Sequence, residues 1–342
     1  MVVIKAKPED FLVREVAELD LSGGSHSVYE LKKKGMTTDQ ALFGVRKAWR
    51  VKRIGYAGLK DRQAVTWQHI SILNGRKADL KGDGFSLRYL GKSPQGIVLG
   101  GLIGNGFEIV VRDIDPSRVD QVEDVEQIPN YFDEQRFSER NVEVGRLLVA
   151  KEFAKAAALL AEGTGREELG VLRFLEAEPG NAIGALRTLD QKLLLLFVHS
   201  FQSLLFNECL GRLIRSKSSR FFLVPYSEGE FVFPEDSLSI GDIPLPGFSV
   251  SYSGEEGDMM KRVMSEQGVQ ERDFILKSLA GLSCEGSFRS GFVDVKDLSF
   301  GWDEDEMNNG RKKCLIRFNL GSGSYGTIVV KALFRKVLQD RQ

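Results

Sequence analysis

Alternating apolar and polar positions predict β-strands in the first third of the chain. The stretch "FLVREV" (11–16) alternates over six residues. "AVTWQHISI" (64–72) and "FEIVVRDI" (107–114) combine alternation with many β-branched side chains, which is typical of strands. These stretches predict a sheet that begins close to the start of the chain.

A helix is predicted between the first two strands, over "TTDQALFGVRKAWRV". Leu42, Val45 and Ala48 recur at helical spacing and form an apolar stripe. Thr37 and Gln40 have the spacing of a capping box at the helix start. Positive side chains crowd the other end, which favours either a solvated helix end or contacts with phosphates. They are Arg46, Lys47, Arg50, Lys52 and Arg53.

Helical periodicity replaces alternation after about residue 117. Helices are predicted over "SRVDQVEDVEQI" (117–128), "NVEVGRLLVAKEFAKAAALLAEG" (141–163), "LGVLRFLEAEPGNAIGALRTL" (169–189) and "QKLLLLFVHSFQSLLFNECLGRLIRS" (191–216). Short strands follow over 220–252, and a strand, a glycine-rich turn and a helix end the chain. This order indicates an α+β protein whose two chain ends complete one sheet, with a second domain inserted between them.

The composition is that of a soluble globular protein. Apolar residues make up 42% of the chain and charged residues 28%. The three cysteines are far apart without a CxxC pair, and the three histidines lack metal-ligand spacing, so neither disulfides nor a metal site are expected. The most apolar run, "LLLLFV" (193–198), is too short for a bilayer span. We expect a cytoplasmic protein with no membrane segment.

Charge is distributed unevenly along the chain. Residues 1–115 contain 19 Lys and Arg against 13 Asp and Glu, a net charge of +6. The whole chain carries −1, so the remainder carries −7. A basic N-terminal third is suited to a polyanionic partner, although ordinary fluctuation would also produce this asymmetry.

The segment "GYAGLKDRQAVTWQ" (55–68) contains the most suggestive candidate for chemistry, Asp61. In an extended chain Lys60 and Arg62 point away from the face that carries Asp61. A catalytic carboxylate then needs a cation from elsewhere to keep it ionised. Lys5 is a candidate by residue type, and a simple Lys-Asp-Arg surface turn is the alternative interpretation.

A second candidate is Tyr325, in the glycine-rich turn "LGSGSYGT" (320–327) before the last helix. An aromatic ring beside such a turn is able to stack on a base, and a core position in a flexible connection is the alternative. No GxxxxGKS phosphate-binding loop and no GxSxG elbow occurs in the sequence.

Taken together, these segments resemble the TruD family of tRNA pseudouridine synthases. Seven motifs occur in the family's order across almost the whole chain: "KAKPEDFLVREV" (5–16), "KKKGMTTDQAL" (32–42), "GYAGLKDRQAVTWQHIS" (55–71), "GNGFEIVVRDI" (104–114), "PNYFDEQRF" (129–137), "VHSFQSLLFN" (198–207) and "IRFNLGSGSYGT" (316–327). Two glycines usual in the family are replaced by Asp133 and Ser138, so the local backbone there is open to question.

The resemblance implies isomerisation of uridine to pseudouridine in tRNA, at position 13 in the D-arm region, without a metal or organic cofactor. It implies that Asp61 is the catalytic carboxylate, that Lys5 is its basic partner, and that Phe11, Asn105 and Tyr325 contact the target uridine. It also implies a mixed-sheet catalytic domain over residues 1–127 and 294–342, with a family-specific domain inserted at 128–293. A monomer is expected.

The sequence does not decide which atom of the uridine Asp61 reacts with. Asp61 is able to attack C1′ of the ribose, add to C6 of the base, or take a proton from C2′. Five basic residues are predicted contacts to the RNA backbone: Arg50, Lys52, Arg53, Lys60 and Arg62. Two rival functions are a non-catalytic RNA-binding or RNA-folding module on the same fold, and a glycoside hydrolase with Glu15 as second carboxylate.

Overall fold

The computed structural model describes residues 2–138 and 140–339. They fall into two compact units. The first comprises Met1–Glu126, Asp294–Val329 and Lys336–Leu338, and the second mainly Gln127–Val293 and Val330–Arg335.

A ten-stranded mixed sheet forms the frame of the first unit. Its strands are β1 (Val3–Ile4), β2 (Phe11–Val16), β3 (His26–Lys34), β4 (Gly55–Tyr56), β5 (Val65–Leu73), β6 (Leu80–Lys81), β7 (Phe85–Ser93), β8 (Gly104–Ile114), β15 (Lys296–Glu304) and β16 (Lys312–Gly321). The order across the sheet is β15-β16-β8-β2-β5-β3-β7-β6, with β1 beside β8 and β4 beside β5. Strands β2 and β5 are parallel, and the other pairs are antiparallel.

This topology confirms the α+β class and the sheet completed by both chain ends. Strands β15 and β16 come from the C-terminal part, and β16 pairs along its length with β8 from the N-terminal part. All three strands predicted from alternation are present.

Helix α1 (Thr38–Trp49) packs its apolar side against the sheet. The capping box at Thr37 and Gln40 is present, with each side chain accepting a hydrogen bond from the other residue's backbone N–H. Leu42 and Val45 are buried as predicted, but Ala48 is exposed and Trp49 takes its place in the core.

The second unit is built around the 27-residue helix α6 (Gln191–Lys217), which is the one described helix long and apolar enough to span a membrane. Fifteen of its residues are buried, as expected for a core helix. Helix α2 (Asn141–Val149) packs closely on α6. Gly145 permits this approach, since a Cβ there would lie 2.0 Å from the carbonyl oxygen of Phe197.

The remaining helices of this unit are α3 (Phe153–Ala161), α4 (Arg166–Ala177), α5 (Ala182–Leu186) and α7 (Gly254–Glu266). Its strands are β9 (Gln127–Pro129), β10 (Phe221–Tyr226), β11 (Gly229–Pro234), β12 (Asp242–Leu245), β13 (Ser287–Ser290) and β14 (Phe292–Asp294). Helices α8 (Gly326–Leu333) and α9 (Arg335–Gln339) follow the sheet at the end of the described chain.

Three helix predictions need correction. The segment 117–128 forms a short 3-10 helix, Pro116–Gln121, which ends at Val122 in an extended conformation (φ −87°, ψ 118°) and is followed by strand β9. The segment 141–163 breaks into α2 and α3 at Lys151, whose φ is +62°. The segment 169–189 breaks at Gly180, whose φ is +88°.

Asp133, which replaces a glycine usual in the family, fits the backbone without strain. Its φ is −91°, in the extended region open to any residue. Its carboxylate accepts a hydrogen bond from Lys331 Nζ at 2.6 Å, so the substituted side chain has a charged partner within the second unit.

Candidate active site

Two segments far apart in sequence meet at the start of two parallel strands. Strands β2 and β5 pair in register, with Leu12 opposite Val65, so their N-terminal ends lie side by side. The segment that carries Lys5 leads into β2, and the loop that carries Asp61 leads into β5.

Lys5 and Asp61 form an ion pair at this point, with 2.7 Å between Nζ and Oδ2. The Lys5 side chain is 11% exposed and that of Asp61 33%, so the cation is sheltered while the carboxylate stays accessible. The Lys5 ammonium also lies 4.1 Å from the centre of the Phe11 ring. Gln63 Nε2 donates to the Lys5 carbonyl oxygen at 2.9 Å and ties the two segments together.

The Lys5 backbone lies in the left-handed region, with φ of +61°. This region is disfavoured for a residue with a Cβ by roughly 1 kcal/mol or more. A strained residue that directs a charged side chain onto a half-exposed carboxylate is typical of a functional site.

Beneath the loop lies Lys33, whose side chain is fully buried. Its ammonium donates hydrogen bonds to the backbone carbonyl oxygens of Met36 at 2.9 Å, Lys60 at 3.2 Å and Asp61 at 2.7 Å. Burial lowers the pKa of Lys33 to about 8, and the charge of Asp61 partly opposes that shift. Lys33 therefore fixes the backbone of Asp61 and adds positive charge below it.

The other side of the loop is held by a hydrogen-bonded chain between α1 and β5. Lys60 N donates to Thr38 Oγ1 at 3.0 Å, and Thr38 Oγ1 donates to Gln68 Oε1 at 3.0 Å. Gln68 Nε2 donates in turn to the carbonyl oxygen of Gly58 at 3.2 Å. Because both ends of the loop are anchored, the position of Asp61 is set by the surrounding fold.

Aromatic side chains line the neighbouring part of the sheet. Phe11 is 2% exposed and packs edge-on against Phe107, with ring centres 6.1 Å apart, and Phe107 stacks on Phe318 at 5.1 Å. Tyr325 is half-buried at the start of α8. The adjacent Gly326 has no room for a side chain, since a Cβ there would lie 2.8 Å from the Phe107 ring.

Asn105 lies on β8, opposite Glu15 of β2 on one side and Leu320 of β16 on the other. Its Oδ1 accepts a hydrogen bond from Lys60 Nζ at 2.5 Å. The Lys60 side chain is only 7% exposed. The prediction that Lys60 contacts the RNA backbone therefore needs correction, because its ammonium is buried among protein groups. Arg50, Lys52, Arg53 and Arg62 are exposed.

Sequence reasoning missed several of these residues although signals for two were present. Alternation along β3 places Lys33 on the same buried face as Tyr29 and Leu31. Thr38 directly follows the predicted helix cap at Thr37. Its polar side chain is buried, which the apolar spacing of the helix did not predict. The cross-strand pairing of Glu15 with Asn105 required the register, which the sequence did not supply.

Glu15 does not fit the glycoside hydrolase hypothesis. Its side chain is fully buried and is held by His69 and Lys60. A second catalytic carboxylate has to reach a glycosidic bond from the opposite side, which this burial prevents.

Comparison with known proteins identifies the family. A family model described as tRNA pseudouridine synthase D (TruD) matches residues 2–168, 162–240 and 235–333, almost the whole chain. The chain belongs to the TruD family. The resemblance noted in the sequence is thereby confirmed.

Individual relatives of the TruD family match over nearly their full length. The chain is 30% identical to tRNA pseudouridine synthase D of Aquifex aeolicus, covering 97% of each protein. It is 28% identical to a relative of the same family name from Nanoarchaeum equitans, covering 97% of this chain and 98% of that one. A crystal structure from Methanosarcina mazei that carries the TruD name matches with a TM-score of 0.69 at 27% identity, covering 99% of this chain and 94% of that one.

Proposed function

We propose that this protein isomerises uridine to pseudouridine in tRNA, at position 13 in the D-arm region, with Asp61 as the catalytic carboxylate. The observation that carries the proposal is the Lys5–Asp61 ion pair, which joins two motifs of the TruD family at one point of the fold. Within residues 2–138 and 140–339, Lys5 is the one side chain that donates a hydrogen bond to the Asp61 carboxylate. The other oxygen is then available to a substrate.

The reaction breaks the bond between N1 and C1′, turns the uracil, and joins its C5 to C1′. A carboxylate is able to assist by attacking C1′, by adding to C6, or by removing the proton from C2′. Each route needs an ionised carboxylate that is held in place. The ammonium groups of Lys5 and Lys33 supply compensating charge from two directions, and the anchored loop supplies the position.

The target uridine has to leave its stack to reach Asp61, at a cost of about a few kcal/mol. We assign the contacts with the extruded uridine to Asn105, Tyr325 and Phe11. Tyr325 is half-buried and suited to stacking, whereas Phe11 is buried under Lys5 and acts as the floor of the site. Phosphate contacts from Arg50, Lys52, Arg53 and Arg62, all exposed, offset part of the extrusion cost.

The first unit of the fold contains all of these residues. We assign the catalytic domain to residues 1–127 and 294–342 and the inserted domain to 128–293. The enzyme is expected to act as a cytoplasmic monomer on tRNA. A non-catalytic RNA-binding module is the second candidate, and the ion pair argues against it, since binding alone does not require a strained lysine aimed at a carboxylate.

The test is pseudouridine formation in an unmodified tRNA transcript, mapped by chemical modification and primer extension. The wild-type protein is expected to modify position 13. Asp61→Asn keeps the shape of the side chain and is expected to abolish the reaction while tRNA affinity stays within a few-fold. Modification by Asp61→Asn at the wild-type rate would refute the catalytic role of Asp61.

A further inference from the structure

Lys60 and Asp61 are neighbours in the chain, but their side chains contact different residues. The Lys60 ammonium lies 2.5 Å from Asn105 Oδ1 and 3.5 Å from Glu15 Oε2. The four residues Glu15, Lys60, His69 and Asn105 are here called the Asn105 cluster, and its cation is shielded from solvent.

Glu15 is the anion of the Asn105 cluster. Its Oε1 accepts a hydrogen bond from His69 N at 3.1 Å and lies 3.2 Å from His69 Nδ1. Its Oε2 is buried without a hydrogen bond in the described part of the chain and has the Lys60 ammonium as its charged neighbour. A buried carboxylate placed in this way fixes the position of the cation beside it.

Burial and mutual attraction act in opposite directions on the pKa values of Glu15 and Lys60. Burial raises the pKa of Glu15, but the His69 hydrogen bond and the Lys60 charge outweigh it, so the pKa lies below its usual value. Burial lowers the pKa of Lys60, and the attraction of Glu15 opposes that shift. The attraction across 3.5 Å between Lys60 Nζ and Glu15 Oε2 favours the charged form of both groups, an ammonium beside a carboxylate.

An ammonium only donates hydrogen bonds, so its partner on Asn105 has to be the oxygen Oδ1. The amide of Asn105 is thereby locked in one of its two orientations. In that orientation the two hydrogens on Nδ2 point away from Lys60, and within residues 2–138 and 140–339 no acceptor engages them. A free asparagine would present oxygen or nitrogen equally well.

We propose that Glu15 and Lys60 are positioning residues that hold the Asn105 amide with its N–H groups directed at an acceptor oxygen of the target uridine. The inference rests on the proposed function, and it assigns that site a preference for a carbonyl or hydroxyl oxygen of the substrate over a donor group. Lys60 also has a second structural role. Its backbone N–H donates to Thr38 and its carbonyl oxygen accepts from Lys33. The same residue therefore fixes Asn105 through its side chain and Asp61 through its backbone.

A double-mutant cycle tests this inference, using single-turnover rates of pseudouridine formation with saturating enzyme. Glu15→Gln is expected to lower the rate at least tenfold in the wild-type background, as for loss of a charged hydrogen-bonding partner. In the Asn105→Ala background the same substitution is expected to change the rate less than twofold, because the amide it positions is gone. An equal loss in both backgrounds would overturn the inference.

Two further variants keep the test decisive if Glu15→Gln folds poorly. The pair Glu15→Gln with Lys60→Met removes both buried charges together, so no uncompensated ion is left. A well-folded double variant is expected to lose at least tenfold in rate, and a wild-type rate would overturn the inference.

Asn105→Asp still pairs with Lys60 but lacks the two donors on Nδ2. It is therefore expected to be as slow as Asn105→Ala, and wild-type activity would equally overturn the inference.

Asp61→Asn, assayed beside these variants, separates the inference from the function on which it rests. A wild-type rate in Asp61→Asn contradicts the proposed function itself. An inactive Asp61→Asn combined with additive losses for Glu15→Gln and Asn105→Ala contradicts only the positioning role.

Discussion

Lys5 and Asp61 lie 56 positions apart in the chain and form an ion pair of 2.7 Å, with the Lys5 backbone at φ of +61°. The pair joins the segment before β2 to the loop before β5. Its lysine is strained and its carboxylate is partly open to solvent. A contact maintained against backbone strain is more readily explained by function than by stability.

Replacement of Lys5 by methionine is therefore expected to separate activity from stability. Met keeps much of the apolar stem over Phe11 and removes the ammonium beside Asp61. We expect kcat to fall by about a hundredfold or more, since a buried charge partner in an active site contributes several kcal/mol, while the melting temperature changes by only a few degrees. Pseudouridine formation and thermal unfolding measure the two effects.

Lys7→Met is the matched control for Lys5→Met. Lys7 lies on the same segment, but its side chain is 42% exposed and its partner Glu306 is 3.5 Å away. Its replacement is expected to leave activity within about twofold, because exposed ion pairs contribute about 0–1 kcal/mol. Equal loss of activity in both variants would show that the segment tolerates no substitution and that the ion pair has no special role.

Lys33→Met is expected to loosen the catalytic loop. The substitution leaves the carbonyl oxygens of Met36, Lys60 and Asp61 without their shared donor. Unsatisfied buried acceptors cost about 1–3 kcal/mol each before relaxation, so we expect a loss of at least about 2 kcal/mol in the free energy of unfolding. Urea denaturation measures this loss, and stability equal to the wild type would contradict the anchoring role.

The stabilising contribution of Lys33 is expected to grow as pH rises above 8. Its pKa is about 8 in the folded protein against a usual value of 10.5. Between these values the unfolded chain binds the proton and the folded protein does not, so stability rises with pH. The gap in unfolding free energy between wild type and Lys33→Met should widen by roughly 1.5 kcal/mol from pH 8 to 9.5. A constant or narrowing gap would contradict a depressed pKa.

A buried network of charged side chains in the first unit surrounds Arg112, whose guanidinium donates hydrogen bonds to Asp10 and Asp305. These side chains are at most 2% exposed. Arg112→Met leaves two buried carboxylates uncompensated and is expected to cost about 3–5 kcal/mol of stability. Arg317→Met removes the exposed partner of Glu108 and is expected to cost less than about 1 kcal/mol. Chemical denaturation compares them, and similar losses would contradict the difference in burial.

The sequence predicted local structure well where one pattern decided it. The capping box of α1, the strands β2, β5 and β8, and the long helix α6 all follow from spacing over a few residues. The predicted α-helix over 117–128 was wrong, because the chain leaves the helical conformation after one short 3-10 helix and becomes extended at Val122, which the apolar spacing did not indicate. The breaks within 141–163 and 169–189 depend on residues with positive φ, which periodicity does not register.

The site was less accessible to sequence reasoning because it depends on register and side-chain direction. From the residues alone Lys5 was a candidate partner for Asp61 by type, and only the family resemblance indicated it by position. The parallel pairing of β2 with β5 brings the two together. Alternation directed Lys60 away from Asp61, but its true partners, Glu15 and Asn105, meet through the pairing of β2 with β8. Long side chains reach across such pairings, so their contacts are properties of the folded sheet.

The exposed basic residues after α1 are expected to contact phosphates of the tRNA. Arg50→Asn, Lys52→Gln and Arg53→Gln remove three positive charges, and Asn suits position 50 because φ there is +58°. We expect weaker tRNA binding and a slope of log affinity against log salt that is shallower by about 0.7–0.9 for each lost phosphate contact. Filter binding at several salt concentrations measures the slope. The control is Lys81→Gln on the edge strand β6, which also removes one positive charge. An unchanged slope would mean that these side chains merely solvate the end of the helix.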